Sequence, residues 1–298
     1  MTEKGNKLTG GAATDEALDS SPTILQPQGG QGIKGLQQHF TTPALAKAIA
    51  TIINKPQAIA FDLTAGDGAL LQPWQRRFGI EVDSDHITSA DVQNRSYHAI
   101  RGDVQRIVPL IHALDIRFPV VVINPPWGLK WDDKSYAKAQ SSTLLGYRYA
   151  HRMLTAPGIG AIVCGTARYD REIAKLSADD PAGQRVFLRI ALTGEVFPGV
   201  KVKTTIAFFT DKVCAEPLTK KLDIDDFFLM VPGLAAHQKV RDFTSRGLAN
   251  PYLHSLREKW EAAGEEYKYR AETAATLRAR DYDVSLEGGK LKVDIRPL

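Results

Sequence analysis

The apolar positions of the chain fall into short blocks at a steady spacing. "AIAFDL" (58–63), "FGIEVD" (78–83), "YHAIRGD" (97–103) and "PVVVI" (119–123) each lie between polar or glycine-rich stretches, and each reads as a strand. Helix-like or turn-like segments separate them: "TAGDGALLQPW" (64–74), read as a glycine turn opening a helix, "SDHITSADVQN" (84–94) and "VQRIVPLIHAL" (104–114). A helix is then expected over "SSTLLGYRYAHRMLTA" (141–156), broken by Pro157-Gly158, with a buried strand in "IGAIVCGT" (159–166). Strands that alternate with helices predict a parallel sheet covered on both faces. Ahead of the first strand, "TTPALAKAIATIIN" (41–54) carries a helix start signal: a threonine, a proline at the first helical position, then apolar residues at helical spacing.

Beyond this core the pattern changes. "GEVFPGVKVKTTIAFFT" (194–210) predicts two strands around a Pro-Gly turn, an antiparallel hairpin at the sheet edge. After Asp211 the alternation stops. "VPGLAAHQKVRDF" (231–243) and the highly charged 251–281 read as helical, and 284–298 as a hairpin with Gly288-Gly289 at its turn. Residues 1–35 are rich in Gly, Ser, Thr, Gln and Asp, and carry too few apolar side chains to offset the entropy of ordering them. The predicted organisation is a mobile tail (1–35), an α/β core (36–212) with a doubly wound, mostly parallel seven-stranded sheet, and a small, mainly helical C-terminal region (213–298).

Composition narrows the class. The longest apolar runs are too short to span a bilayer, and the N-terminus lacks the pattern of a secretory signal, so a cytoplasmic protein with no membrane partner is expected. Cys164 and Cys214 lie in apolar-rich segments and read as buried thiols. No His/Cys/Asp cluster has metal-ligand spacing, so no metal is expected. A net charge of +4 permits a polyanionic partner without demanding one.

In a doubly wound sheet ligands collect at the carboxyl ends of the strands. The first strand ends on Asp62 and the turn "TAGDG", in which Gly66 and Gly68 permit a tight turn and close approach of a ligand. The second ends on Glu81, the third on Gly102-Asp103, and the fourth on Asn124-Pro125-Pro126-Trp127. Each feature has a plainer reading: a turn, a helix cap or a rigid loop. Their occurrence together, in order, on one rim is what points to a site.

These motifs resemble those of the S-adenosylmethionine-dependent amino-methyltransferases, specifically the N6-adenine DNA methyltransferases. "HFTTPALA" (39–46) resembles the segment that precedes the first strand in that family, and "FDLTAGDGALL" (61–71) its cofactor glycine loop. "GIEVD" (79–83) resembles the ribose-binding strand end, and "RGDV" (101–104) the adenine-binding segment. "NPPW" (124–127) matches the catalytic tetrapeptide, and "VFPGVKVKTTIAFF" (196–209) resembles the hairpin that faces the target base. The order is that of the gamma-type arrangement. Leu63-Thr64 stands where a proline and a small residue are common in the family.

The resemblance implies a Rossmann-like fold, S-adenosyl-L-methionine as cofactor and DNA as partner. It implies that Asp62, Ala65, Gly66 and Gly68 form the cofactor loop, that Glu81 holds the ribose hydroxyls, and that Asp103 accepts from the cofactor's adenine amine. Phe40 and Thr42 would close over its amino-acid end, Thr42 having helix capping as its other reading. Asp83 either helps Glu81 or caps the turn that follows. At the tip, the Asn124 side-chain oxygen and the Pro125 carbonyl would each accept one hydrogen of the adenine N6 amine. The two prolines, Pro125 and Pro126, stiffen the tip, and Trp127 offers a face for an extruded base.

Lys130, Trp131, Lys138, Lys201, Lys203 and Arg168 stand near these segments and are candidates for guiding a phosphate backbone, or simply a solvated face. The family usually carries a large recognition domain, whereas only 213–298 follow the core here, so recognition is expected from this small region, from a partner subunit or from a further domain. The same tip serves RNA adenine and protein glutamine methyltransferases. A non-catalytic cofactor-binding subunit and a dinucleotide-dependent oxidoreductase are the alternatives of other classes; the first has no need of an intact NPPW, and the second leaves it unexplained.

Overall fold

The computed structural model describes residues 40–133, 135–197, 202–247, 282–287 and 290–295. The chain opens with α1 (Pro43–Ile53), β1 (Ile59–Asp62), β2 (Arg76–Glu81), α2 (Ser84–Val92), β3 (His98–Arg101), α3 (Val104–Ala113) and β4 (Phe118–Ile123). A small ribbon of β5 (Lys130–Trp131) and β6 (Gln140–Ser141) follows, then α4 (Ser142–Arg152), β7 (Leu154–Gly165) and the short α5 (Thr166–Arg168). The second half holds β8 (Val186–Thr193), β9 (Thr204–Thr210), β10 (Leu218–Asp223), α6 (Ile224–Ala236) and α7 (Gln238–Thr244). A separate antiparallel pair, β11 (Tyr282–Glu287) and β12 (Lys290–Ile295), comes last.

One sheet of eight strands runs in the order β10-β8-β9-β7-β4-β1-β2-β3. From β7 to β3 every pairing is parallel, β9 is antiparallel to both its neighbours, and β10 is parallel to β8. The predicted doubly wound α/β sheet is present, and both of its faces are covered. On β4 all six residues are buried. Its side chains alternate: Val120 and Val122 join the apolar cluster under α1, α6 and α7, while Val121 and Ile123 join the one under α3 and α4. That two-sided burial is why β4 reads as a continuous apolar run.

Several elements differ from expectation. The glycine loop opens a chain of tight turns rather than a helix: Gly68, Leu71, Gln72 and Trp74 each donate to the carbonyl three residues back. Pro73 has no N–H and biases Gln72 away from helical backbone, so the helix does not propagate. α4 ends at Arg152, and Pro157-Gly158 lies inside β7 rather than terminating a helix. The late hairpin takes its first strand from "VFLRIALT", earlier than predicted, and residues 194–203 connect it to β9. It is not at the edge, because β10 lies beyond 212, extends the same sheet and makes the eighth strand.

The predicted tail, the charged segment 251–281, Lys201, and the turns at Pro198-Gly199 and Gly288-Gly289 lie outside the described residues. The helix expected around 231–243 is present as α6 and α7. Among the described residues no helix is long and apolar enough to cross a membrane, and both cysteines are free and buried.

Candidate active site

The carboxyl ends of β1, β2, β3 and β4 open into one cleft, and Phe40 and Thr41, just ahead of α1, join its wall. Its open space, mouth and adjoining solvent included, is about 860 Å³. Asp62, Ala65, Gly66, Glu81, Asp103, Asn124, Pro126 and Phe40 all line it. Thus the four strand ends singled out by sequence do meet around one space.

Local structure explains how each acid is held. Glu81 is 5% exposed and accepts two backbone hydrogen bonds, from Gly66 N at 2.7 Å and from Asp83 N at 2.9 Å. Its carboxylate therefore ties the glycine loop to the end of β2 and keeps further lone pairs for a ligand. Asp103 is the N-cap of α3, accepting from Gln105 N at 2.8 Å, and lines the cleft at the same time; the capping and ligand-facing readings coexist. Asp83 caps α2. Asp62 is 1% exposed and accepts from Thr64 N at 2.9 Å. Burial first, then the nearby carboxyls of Glu81 and Asp67, push it from the ordinary 3.8 to about 8, against the opposing pull of the Thr64 N–H. Near neutral pH this carboxyl is therefore held mostly in its protonated form, and a cation brought beside it would favour the ionised one.

The glycine loop divides its labour. Gly66 (φ +53°) faces the cleft. Gly68 (φ +76°) does not line it; a Cβ there would meet Arg95 O at 2.5 Å and Tyr97 at 2.9 Å. Its smallness serves packing against the 95–97 loop rather than approach of a ligand. Tyr97 clamps the loop from behind, its hydroxyl donating to Gly66 O at 2.9 Å. Burial foremost, with the nearby carboxyls, pushes this phenol upward, so it stays protonated and a donor. Asp67 pairs with Arg95 at 2.5 Å.

At the tip, Asn124 is partly buried and Pro125 fully buried. The Asn124 carbonyl accepts from Thr64 Oγ1, and its Nδ2 donates to Thr41 Oγ1, both at 3.2 Å. Ser142 Oγ donates to the Pro126 carbonyl at 2.5 Å. Trp127 does not line the cleft; it is half-buried and stands edge-on to Phe197, ring centres 5.4 Å apart. Thr42 is not in the cleft either: it caps α1, accepting from Leu45 N at 3.3 Å, and Thr41 takes the lining position instead. Phe40 is 44% exposed at the mouth, edge-on to His86.

Sequence reading missed Thr41, Thr64, Tyr97 and the wall residues Leu129 and Trp131. Trp131, offered as a phosphate guide, is 4% exposed and lines the cleft. The edge pairing of β5 with β6 turns it inward while Lys130 stays outside. Lys138 and Lys203 are exposed, and Arg168 pairs with Glu172 at 2.8 Å. For Thr41 a signal existed: a proline at the first helical position assigns capping to the residue just before it, which leaves the earlier threonine unassigned. Tyr97 left none. Among the described residues no His, Cys, Asp and Glu side chains gather into a metal-holding group.

Comparison with known proteins defines the fold class. Neither a scan against protein-family models nor a search of curated proteins gives a match. Among solved structures, a Listeria monocytogenes protein assigned to the class I S-adenosylmethionine-dependent methyltransferases aligns over 69% of this chain and 74% of its own, with TM-score 0.51 and 17% identity. The methyltransferase subunit of a type I restriction-modification system from Streptococcus thermophilus aligns over 68% of this chain and 54% of its own, with TM-score 0.51 and 14% identity. The fold is therefore that of the class I methyltransferases.

Proposed function

We propose that the protein transfers a methyl group from S-adenosyl-L-methionine to the exocyclic N6 amine of adenine in DNA. The observation that carries this reading is the convergence of Asp62, Glu81 and Asp103 with Asn124 and Pro126 of the Asn124-Pro125-Pro126-Trp127 tip on one cleft of class I methyltransferase fold. The residues fit the cofactor. A sulfonium or ammonium group beside buried Asp62 would favour its ionised form, Glu81 keeps lone pairs for ribose hydroxyls, and Asp103 suits an adenine amine. Ile80, Val104 and Leu129 supply apolar wall.

When bound, the cofactor supplies an electrophilic sulfonium methyl. The chain's own part is to prepare the amine. An aromatic amine is a poor nucleophile because its lone pair is conjugated with the ring. Hydrogen bonds from its two N–H groups to Asn124 Oδ1 and the Pro125 carbonyl hold it in place, and both strengthen as the nitrogen gains positive charge in the transition state. The proton released afterwards passes to solvent. The buried β4 behind the tip makes this platform rigid.

The test is transfer of a tritiated methyl group with DNA, RNA and protein extract as parallel acceptors. N6-methyladenine in digested DNA is the expected product. Label in RNA or protein instead replaces the acceptor and leaves the cleft's role standing. Cofactor binding without label on any acceptor refutes autonomous catalysis by this chain.

A further inference from the structure

The two threonines of the FTTP segment have separate duties. Thr42 is spent on the end of α1, its hydroxyl accepting from Leu45 N. Thr41, 6% exposed, sends its hydroxyl into the cleft to the Asn124 side chain, across 83 residues of sequence. The Asn124 backbone is held independently, by Thr64 Oγ1 on its carbonyl. Backbone placement and side-chain orientation at the tip thus have different custodians.

We propose that Thr41 is a positioning residue for the acceptor end of Asn124: it holds the amide nitrogen and thereby presents the amide oxygen to the incoming amine. This rests on the role of Asn124 given under Proposed function. The two ends of a carboxamide are nearly equal in size, so packing alone does not distinguish them. Hydrogen-bond chemistry does once the substrate is counted: the Thr41 hydroxyl can accept from Nδ2, as it does here, or donate to Oδ1, and the N–H donors of the incoming amine decide between the two. With Nδ2 on Thr41 Oγ1, a substrate N–H meets Oδ1, and every donor has an acceptor. With the amide turned over, an amide N–H faces a substrate N–H and two donors collide. Donation by Nδ2 also polarises the amide and makes Oδ1 the better acceptor.

Thr41 is well placed to hold this position. Pro43 at the first helical position restricts Thr42 to extended backbone (φ −69°, ψ 149°), and α1 itself is anchored in the core through Leu45, Ile49, Ile52 and Ile53. The segment that precedes the first strand therefore serves the catalytic tip directly, as well as closing the cleft.

The experiment compares Thr41→Val, which keeps shape and removes the acceptor, with Thr41→Ser, which keeps the acceptor. Thr41→Val is expected to lower kcat for methyl transfer about ten- to hundredfold, the range for a misplaced reacting contact. The KM for the cofactor should change far less, and Thr41→Ser should recover most of the lost rate. A second readout needs no turnover. In protein labelled with 15N-asparagine, with the Asn124 side-chain signal assigned by its loss in Asn124→Asp, Thr41→Val should move that NH2 pair and Thr41→Ser should leave it near its original place. An unmoved Asn124 signal in Thr41→Val overturns the proposal. So does an equal loss of kcat and cofactor affinity without rescue by serine, which is the mark of a lining role. If the unaltered protein methylates no acceptor, the functional reading falls, and the NMR comparison still decides whether Thr41 orients the amide.

Discussion

Gly79 lies on β2 in register with Asp62, and its missing side chain lets the glycine loop rest against the strand. A Cβ at this position would come within 2.4 Å of Ala65 Cβ and 3.1 Å of Tyr97 Cε2. Two carbons in contact want about 3.5–4.0 Å. Gly79→Ala therefore demands roughly 1.1–1.6 Å of separation between strand and loop. β2 is paired on both sides, to β1 and β3, so the loop is the part that yields. Ala65 and Gly66 line the cleft, and their displacement misplaces the ligand's binding surface. Overpacking of this kind costs about 1–3 kcal/mol, equivalent to a roughly fivefold to 150-fold weaker Kd for S-adenosylmethionine when the strain falls on the bound form. Isothermal titration calorimetry measures that loss, with urea unfolding as the check on global stability. The double variant Gly79→Ala/Ala65→Gly removes one of the two colliding carbons, and most of the lost affinity should return. Affinity unchanged in the single variant, or a double variant no better than the single, would refute the reasoning.

Asn124→Ala should lower methyl transfer by at least about a hundredfold while calorimetric cofactor affinity stays close to that of the unaltered protein; retained activity would sink the acceptor scheme. Ligand-free Asp62 titrates near 8, and a cationic ligand favours its ionised form, so binding should release a proton. Cofactor affinity should then rise with pH, by up to about tenfold per pH unit below that value, and flatten in Asp62→Asn. The same raised value means that the ligand-free fold holds a proton the unfolded chain has lost, so this group's contribution to stability falls as pH climbs from 3.8 through about 8; urea midpoints across that window measure it. Gly68→Ala, at φ +76° and with its new carbon 2.5 Å from Arg95 O, should cost about 1–3 kcal/mol of stability, read from the shift in urea midpoint. Trp131→Ala should cost about 3–5 kcal/mol, since the indole is buried as a wall of the cleft; a midpoint within error of the original would return Trp131 to the surface role first read from sequence.

The legible parts of the fold are those where one physical demand dominates. β4 is buried on both faces, so nothing but apolar residues survives in it, and the polar tip that follows stands out. α1 announces itself through Pro43 and a clean apolar stripe. The parts that escaped are compromises. "ALLQPW" has helical propensity, yet Pro73 overrides it and yields consecutive turns. β10, "LTKKLD", alternates half-buried and exposed positions, but it is short, charged and at the edge, where β-propensity is weak and lysines protect the open side. In the site, acids at strand ends were readable because topology brings strand ends together. Tyr97 and Thr64 were not, because they act through hydrogen bonds to backbone, which place few demands on the surrounding sequence.

The grip on α1 comes from late in the chain. α1 packs against α6 and α7, and Lys55, just past its end, donates its ammonium to the carbonyl of Arg246 at 2.9 Å, 191 residues downstream. During synthesis, α1, which follows directly on Thr41 and Thr42, leaves the ribosome long before the helices that cover its apolar face. At about 5–20 residues per second, the wait is roughly 10–40 s. For that interval Ile49 and Ile52 have no permanent partner on the α6 side, and the tip at Asn124 can be made before Thr41 is held firmly enough to orient it. On the proposed reading, a nascent or prematurely ended chain thus has the strands of a cleft without a settled acceptor, and competence for transfer would arrive with α6 and α7 rather than with Asn124.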